Sequence, residues 1–153
     1  LDDGKKNVFL LGTEYASGGA GCVSTVDDYI KFLEGLRTYK LLKPETVKLM
    51  TTNRYNGENY GWDDNHGYGL GVRCPNGHKG YTDFGWGGAA SAYLAVDIEK
   101  GLSIYFGMHL ISSPAQEIRG KVYEFICSEL FGTFDINDII KQINITGNYN
   151  LTY

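Results

Sequence analysis

Apolar and polar positions follow a helical rhythm early in the chain and a strand rhythm in its middle. Tyr29, Phe32, Leu33 and Leu36 recur at i, i+3, i+4 and i+7, which is one face of a helix. Thr25 is placed to cap that helix, and Asp27 and Asp28 fall in its first turn, where carboxylates favour the dipole. A second, short helix is predicted from Pro44, a residue suited to the first helical position, through Val47, Leu49 and Met50. Positions 51–68 read as a long loop, Gly69 to Arg73 as a short strand, and Pro75-Asn76-Gly77 as a turn. From Ala90 to Val96 the β-prone residues predict a strand. Asp97 to Gly101 then turns the chain, and Leu102 to His109 returns. Ser113-Pro114-Ala115-Gln116 has the pattern of a capping box with Pro at the first helical position. The helix it opens carries Ile118, Val122, Phe125, Ile126 and Leu130 on one face and stops at Gly132. Asp135 to Ile143 can form one more helix before a polar, Asn-rich end.

Together these elements predict an α+β fold. A short antiparallel sheet of about three strands packs against a long C-terminal helix, Ser113–Leu130, with the smaller helices beside it. At 153 residues the chain is long enough for one domain with a core. The net charge is −4, and no run of Lys or Arg offers a face to nucleic acid. Nothing approaches the roughly 18 apolar residues of a membrane span. No secretory leader pattern is visible, which says nothing of secretion if the chain is part of a longer protein. The three cysteines, Cys22, Cys74 and Cys127, are widely spaced and allow one disulfide at most. Cys127 lies in a helical apolar pattern and reads as a buried thiol.

His66, His78 and His109 are far apart and lack metal-ligand spacing, and Asp63-Asp64-Asn65 lacks the rest of a calcium loop. Neither a metal nor another cofactor is expected. Glycine and tyrosine are enriched, at 21 and 12 residues, and ten of the glycines and four of the tyrosines lie between Tyr55 and Gly88. By composition alone that segment is an aromatic-packed loop rather than a ring-lined surface for a glycan or peptide. Asn144-Ile145-Thr146 and Asn150-Leu151-Thr152 are formal glycosylation sequons.

Phe84 to Met108 is the most informative stretch. The small residues Gly87-Gly88-Ala89-Ala90 before a strand suit a backbone that something must approach closely. Trp86-Gly87-Gly88, followed by a strand, Val96-Asp97 and a Gly101-Leu102 return, resembles the third motif of the serine β-lactamase-like family. That family includes class C β-lactamases, D,D-peptidases (penicillin-binding proteins) and related esterases. The run from Gly18 to Leu33 is similar to the family's Gly-Gly-x-Gly-Leu-x-Ser-Thr-x-x-Asp-Tyr segment, and Leu42 to Met50 to the segment that follows; Cys22 stands where that segment has Leu, which implies a small hydrophobe. The order agrees over about Gly18 to Leu130. It implies that residues 1–132 are the C-terminal part of a β-lactamase/transpeptidase-like domain and 133–153 an added helix and polar tail.

The family's nucleophile is the Ser of Ser-x-x-Lys, and its second motif is Tyr-x-Asn. Neither occurs in these 153 residues, and in the family both precede the Gly-Gly-x-Gly segment. The resemblance therefore implies the C-terminal portion of a serine hydrolase that forms an acyl-enzyme on a small-molecule or peptide-like ester or amide. That portion would be inactive alone. It also implies an extracytoplasmic or cell-envelope location.

Carried over, the residue just after the third motif is Ala89, whose backbone N–H is one oxyanion donor on an edge strand. Gly87 and Gly88 would keep that edge open to substrate. Trp86 stands where β-lactamases and peptidases usually carry Lys or His. It cannot hold a carboxylate, but its ring can pack on an acyl or alcohol group, or serve as a core aromatic. His78-Lys79-Gly80 superficially resembles Lys-Thr-Gly but lies farther from the Val96-Asp97 turn, with no clear strand after it. The alternative function is a non-catalytic glycan- or peptide-binding module derived from the same fold. In either case a half-sheet presents an edge. A missing N-terminal half, another chain or a second copy of this one could complete it.

Overall fold

The computed structural model describes residues 18–19, 22–55, 65–108 and 115–143. The first helix, α1 (Val26–Arg37), starts where expected. Thr25 is extended, and its hydroxyl accepts from the Asp28 amide at 3.2 Å. Its buried side is Leu33, Gly35 and Leu36. At Gly35 a Cβ would sit 2.8 Å from the exposed Leu41 side chain, which would have to shift to admit it. In α2 (Pro44–Met50) Val47 is buried, whereas Leu49 is exposed.

Five strands follow rather than the three expected: β1 (His66–Tyr68), β2 (Arg73–Pro75), β3 (Phe84–Gly87), β4 (Tyr93–Asp97) and β5 (Leu102–Phe106). They form one antiparallel sheet in chain order. The expected strand at Gly69–Arg73 is instead, up to Val72, the connection between β1 and β2, and Arg73 is the first residue of β2. Gly71 has φ +75°, and the Gly69 amide donates to the Val72 carbonyl at 2.9 Å, so the chain turns there. The expected strand at Ala90–Val96 begins only at Tyr93, because residues 88–92 close a tight turn. Its Gly-rich approach is itself a strand, β3.

Two helices complete the described chain, α3 (Ala115–Phe131) and α4 (Ile136–Gln142). Gly132, with φ +61°, stops α3 as expected, its amide donating to the Ser128 carbonyl at 3.0 Å. The capping-box residues Ser113 and Pro114 lie outside the described residues. The apolar face expected on α3 is met in part: Val122 and Ile126 pack against the core, Ile118 and Leu130 are exposed, and the most buried positions are Tyr123, Glu124 and Cys127. Aromatic contacts with Tyr81 and Phe134 draw Tyr123 inward.

The sheet is covered on both faces, with side chains alternating at period two. Tyr93 and Ala95 pack with Ile104, Tyr123 and Cys127 on the α3 face. Phe84 and Val96 pack with Leu33, Leu36, Val47 and Cys74 on the face of α1 and α2. All three cysteines are free: Cys74 and Cys127 are buried, and Cys22 is exposed rather than a packed hydrophobe. Burial raises the pKa of both buried thiols above the ordinary cysteine value.

Gly85 is a packing requirement at the heart of the sheet. A Cβ there would lie 2.0 Å from the Leu94 carbonyl oxygen, which belongs to the neighbouring strand and cannot yield without moving backbone. Gly85→Ala is expected to cost about 1–3 kcal/mol, as overpacking does. Gly18→Ala, with nothing among the described residues within 4 Å, should stay within about 0.5 kcal/mol of the parent. Urea denaturation of both variants checks this; equal midpoints would refute it.

Candidate active site

The candidate site lies at the end of β3. Trp86 and Gly87 pair with Leu94 and Tyr93, while the ladder to β2 consists of Arg73↔Gly85. β3 is therefore not the outer edge of the sheet, as expected, since the β1–β2 hairpin flanks it. The strand nevertheless runs past that hairpin before the chain turns. The Gly88 amide donates to the Ala92 carbonyl at 2.8 Å, and the Ser91 amide to the Gly88 carbonyl at 3.0 Å. Ser91 adopts φ +69° to close this turn and is fully buried. Ala89 sits exposed on the turn, one residue after the Trp-Gly-Gly triplet.

Trp86 is half-buried and meets Tyr68 edge-on at 5.7 Å between ring centroids. It also walls an apolar cavity of about 450 Å³ together with Phe32, Leu41, Met50, Val72 and Leu94. Gly87 and Gly88 differ from Gly85: the nearest atoms to an added Cβ are 3.6 Å and 3.4 Å away, and neither has a positive φ. The described residues therefore leave room for a side chain at both. From α3, Arg119 Nη1 donates to the Gly88 carbonyl at 2.6 Å. His78 and Lys79 lie in the loop before β3, and Gly80 has φ +94° there.

Two buried polar networks support this strand. In the first, the fully buried Asp83 carboxylate is paired with the Arg73 guanidinium and lies 3.1 Å from His66 Nε2. Arg73 also donates to the Tyr93 hydroxyl at 3.0 Å and lies 4.8 Å over its ring. Burial, reinforced by the Asp83 charge, pushes the Tyr93 pKa far up, so this phenol stays protonated.

In the second network, Asp97 Oδ2 accepts from Thr82 and Tyr123 hydroxyls, each at 2.6 Å, and from Lys100 Nζ at 3.2 Å. Its other oxygen accepts the Lys100 amide at 2.9 Å. Lys100 Nζ further donates to Thr82, Tyr123 and the Gly80 carbonyl. Burial opposes the charge on Asp97. The Thr82, Tyr123 and Lys100 hydrogen bonds outweigh it and hold the carboxyl below the usual value.

A family model for beta-lactamase matches residues 2–114, most of the chain. The chain belongs to the beta-lactamase family. No curated protein matches it. This is the family of serine β-lactamases and penicillin-binding proteins, so the fold is serine-hydrolase-like, and α1, α2 and the whole sheet lie inside the match. Both α3 and α4 follow the matched segment, and with them Arg119 and Tyr123.

Trp86, Gly87, Gly88 and Ala89 come together at one strand end as consecutive residues must. The surrounding polar residues Thr82, Asp83, Arg73, Tyr93, Asp97, Lys100, Arg119 and Tyr123 gave no motif to read. One signal was available, since Asp97 is in phase with Tyr93 and Ala95 and so shares their buried face. His66 is buried and hydrogen-bonded, His78 is exposed, and His109 lies outside the described residues. Among the described residues, no three His, Cys, Asp or Glu side chains are grouped to hold a metal ion. Nor is any helix there long and apolar enough to cross a membrane.

Asp97 makes stability pH-dependent. Its folded pKa lies below the unfolded value of about 3.9, so its contribution is present above that pH and is lost as pH falls through the folded value. Asp97→Asn should lower stability at neutral pH and flatten the decline below about pH 4. Asp97→Ala, which leaves Lys100 without its carboxylate, is expected to cost about 3–5 kcal/mol. Urea denaturation from pH 2 to 7 measures both. An acid limb unchanged in Asp97→Asn would contradict this assignment.

Proposed function

We propose that this chain forms the oxyanion-side wall of a serine hydrolase that acts through an acyl-enzyme on an ester or amide. The nucleophile comes from residues beyond these 153, because neither Ser-x-x-Lys nor Tyr-x-Asn is among them. Ala89 donates its backbone N–H to the developing oxyanion, and Trp86 packs on the apolar part of the substrate.

One observation carries this reading. The packing of the described residues demands glycine at 85 but leaves room for a side chain at 87 and 88. Two glycines that the fold does not require, beside an exposed turn, suit a ligand that must approach backbone. With Trp86 in place of a cation, a substrate carboxylate has no partner at that position, which favours esters or unusual amides over carboxylate-bearing peptides. β5 pairs with β4 alone among the described residues. That edge suits the strands of an N-terminal half, or failing that another chain or a second copy.

A second reading rests on the Tyr68–Trp86 ring pair, which presents aromatic surface at the same strand end. A glycan- or peptide-binding module would use those rings without any covalent chemistry.

Ester hydrolysis by the full protein separates the two. Ala89→Pro, which lacks the amide hydrogen, should lower kcat about 10²–10³-fold. Ala89→Gly, which keeps it, should retain most of the rate. Mass spectrometry should find a covalent serine adduct with a fluorophosphonate. Absence of both adduct and turnover would favour the binding module, and a fully active Ala89→Pro would exclude Ala89 as the donor.

A further inference from the structure

The Gly88 carbonyl and the Ala89 amide hydrogen are the two ends of one peptide group. That group is planar, and in the trans form found here its C=O and N–H point in opposite directions. Whatever fixes the carbonyl therefore aims the amide. Arg119 Nη1 grips the Gly88 oxygen at 2.6 Å from α3, and the Ser91 amide holds the same oxygen at 3.0 Å. The guanidinium is itself half-buried, its Cζ 3.6 Å from the position a Cβ on Gly87 would take.

We propose that Arg119 is a positioning residue for the oxyanion donor. This rests on the assignment of Ala89 as that donor. Arg119 acts at two levels. It locks the Gly88–Ala89 peptide plane, so the amide points away from α3 before substrate arrives. It also draws electron density toward the carbonyl oxygen, because a cationic donor polarises the peptide and makes its N–H a stronger donor. Lysine retains the charge on a flexible stem but lacks the planar fork, so it should restore polarisation better than aim. The residue lies beyond the segment matched by the family model.

The test compares Arg119→Met and Arg119→Lys with the parent, in the full protein labelled with ¹⁵N-alanine. Ala89 is assigned by the loss of its resonance in Ala89→Gly. In Arg119→Met the Ala89 amide proton should shift and exchange with solvent faster, while Ala95, in the middle of β4, keeps its position. Arg119→Lys should recover part of the Ala89 shift. Ester hydrolysis should fall about tenfold or more in kcat for Arg119→Met, a fraction of the loss on removing a whole donor, with KM little changed. An unmoved Ala89 resonance would overturn the proposal. So would a shift shared equally by Ala95, which would mark Arg119 as general support for the fold. If the parent hydrolyses no ester, the serine-hydrolase reading fails on its own, and the Ala89 resonance still decides whether Arg119 sets that peptide.

Discussion

Two carboxylates with no exposed surface, Asp83 and Asp97, set the terms for the rest of this structure. Removing an ion from water costs several kcal/mol even after the protein relaxes, so each must be surrounded by donors. Asp83 takes Arg73 from β2 and His66 from β1, and that requirement ties the small hairpin to the chain entering β3. Asp97 takes Thr82, Lys100 and Tyr123, and so joins the same entry segment to the end of β4 and to α3. The segment at 82–83 is thus pinned from both sides immediately before the candidate site begins.

This arrangement explains how a strand can be rigid at one end and open at the other. Phe84 belongs to the apolar cluster on the face of α1 and α2, and Gly85, held between β2 and β4, admits no side chain at all. Beyond Gly85 the strand runs past the β2 ladder, and control passes to hydrogen bonds around Gly88, two within its own turn and one from Arg119. A site that stabilises charge in a transition state needs donors already in place when the reaction starts. In the proposed hydrolase, a buried residue with positive φ, Ser91, and a guanidinium on a helix would do that placing.

The sequence revealed elements whose signals are local. α1 was legible from its Thr25 cap and the spacing of Leu33 and Leu36, and the end of α3 from Gly132. Helix α4, Ile136–Gln142, falls inside the stretch expected to be helical. The strands were less legible because three of the five have four residues or fewer, too short for alternation to show. β3 has glycine at every second position, so its apolar pattern is half erased. The partial mismatch on α3 has a different cause. Tyr123 is buried as much for its hydroxyl as for its ring, and periodicity scores only the apolar part of a side chain. The polar networks were not legible because their members are scattered from His66 to Tyr123, and only the fold brings them within reach. What could be read of the site was the consecutive triplet at Trp86 and its successor, because a motif needs no tertiary structure to be seen.

The strand order has a consequence for how the chain is made. Each strand pairs with its neighbour in sequence, without a crossover, so the sheet can grow one hairpin at a time as residues leave the ribosome. Asp97 is in place when β4 is formed, and Lys100 follows within the next turn. Tyr123 belongs to a helix synthesised after the last strand. Until α3 docks, one face of the nascent sheet lies bare with Asp97 short of a donor. A bare apolar face beside an open strand edge is the condition under which a folding chain is most prone to mispair.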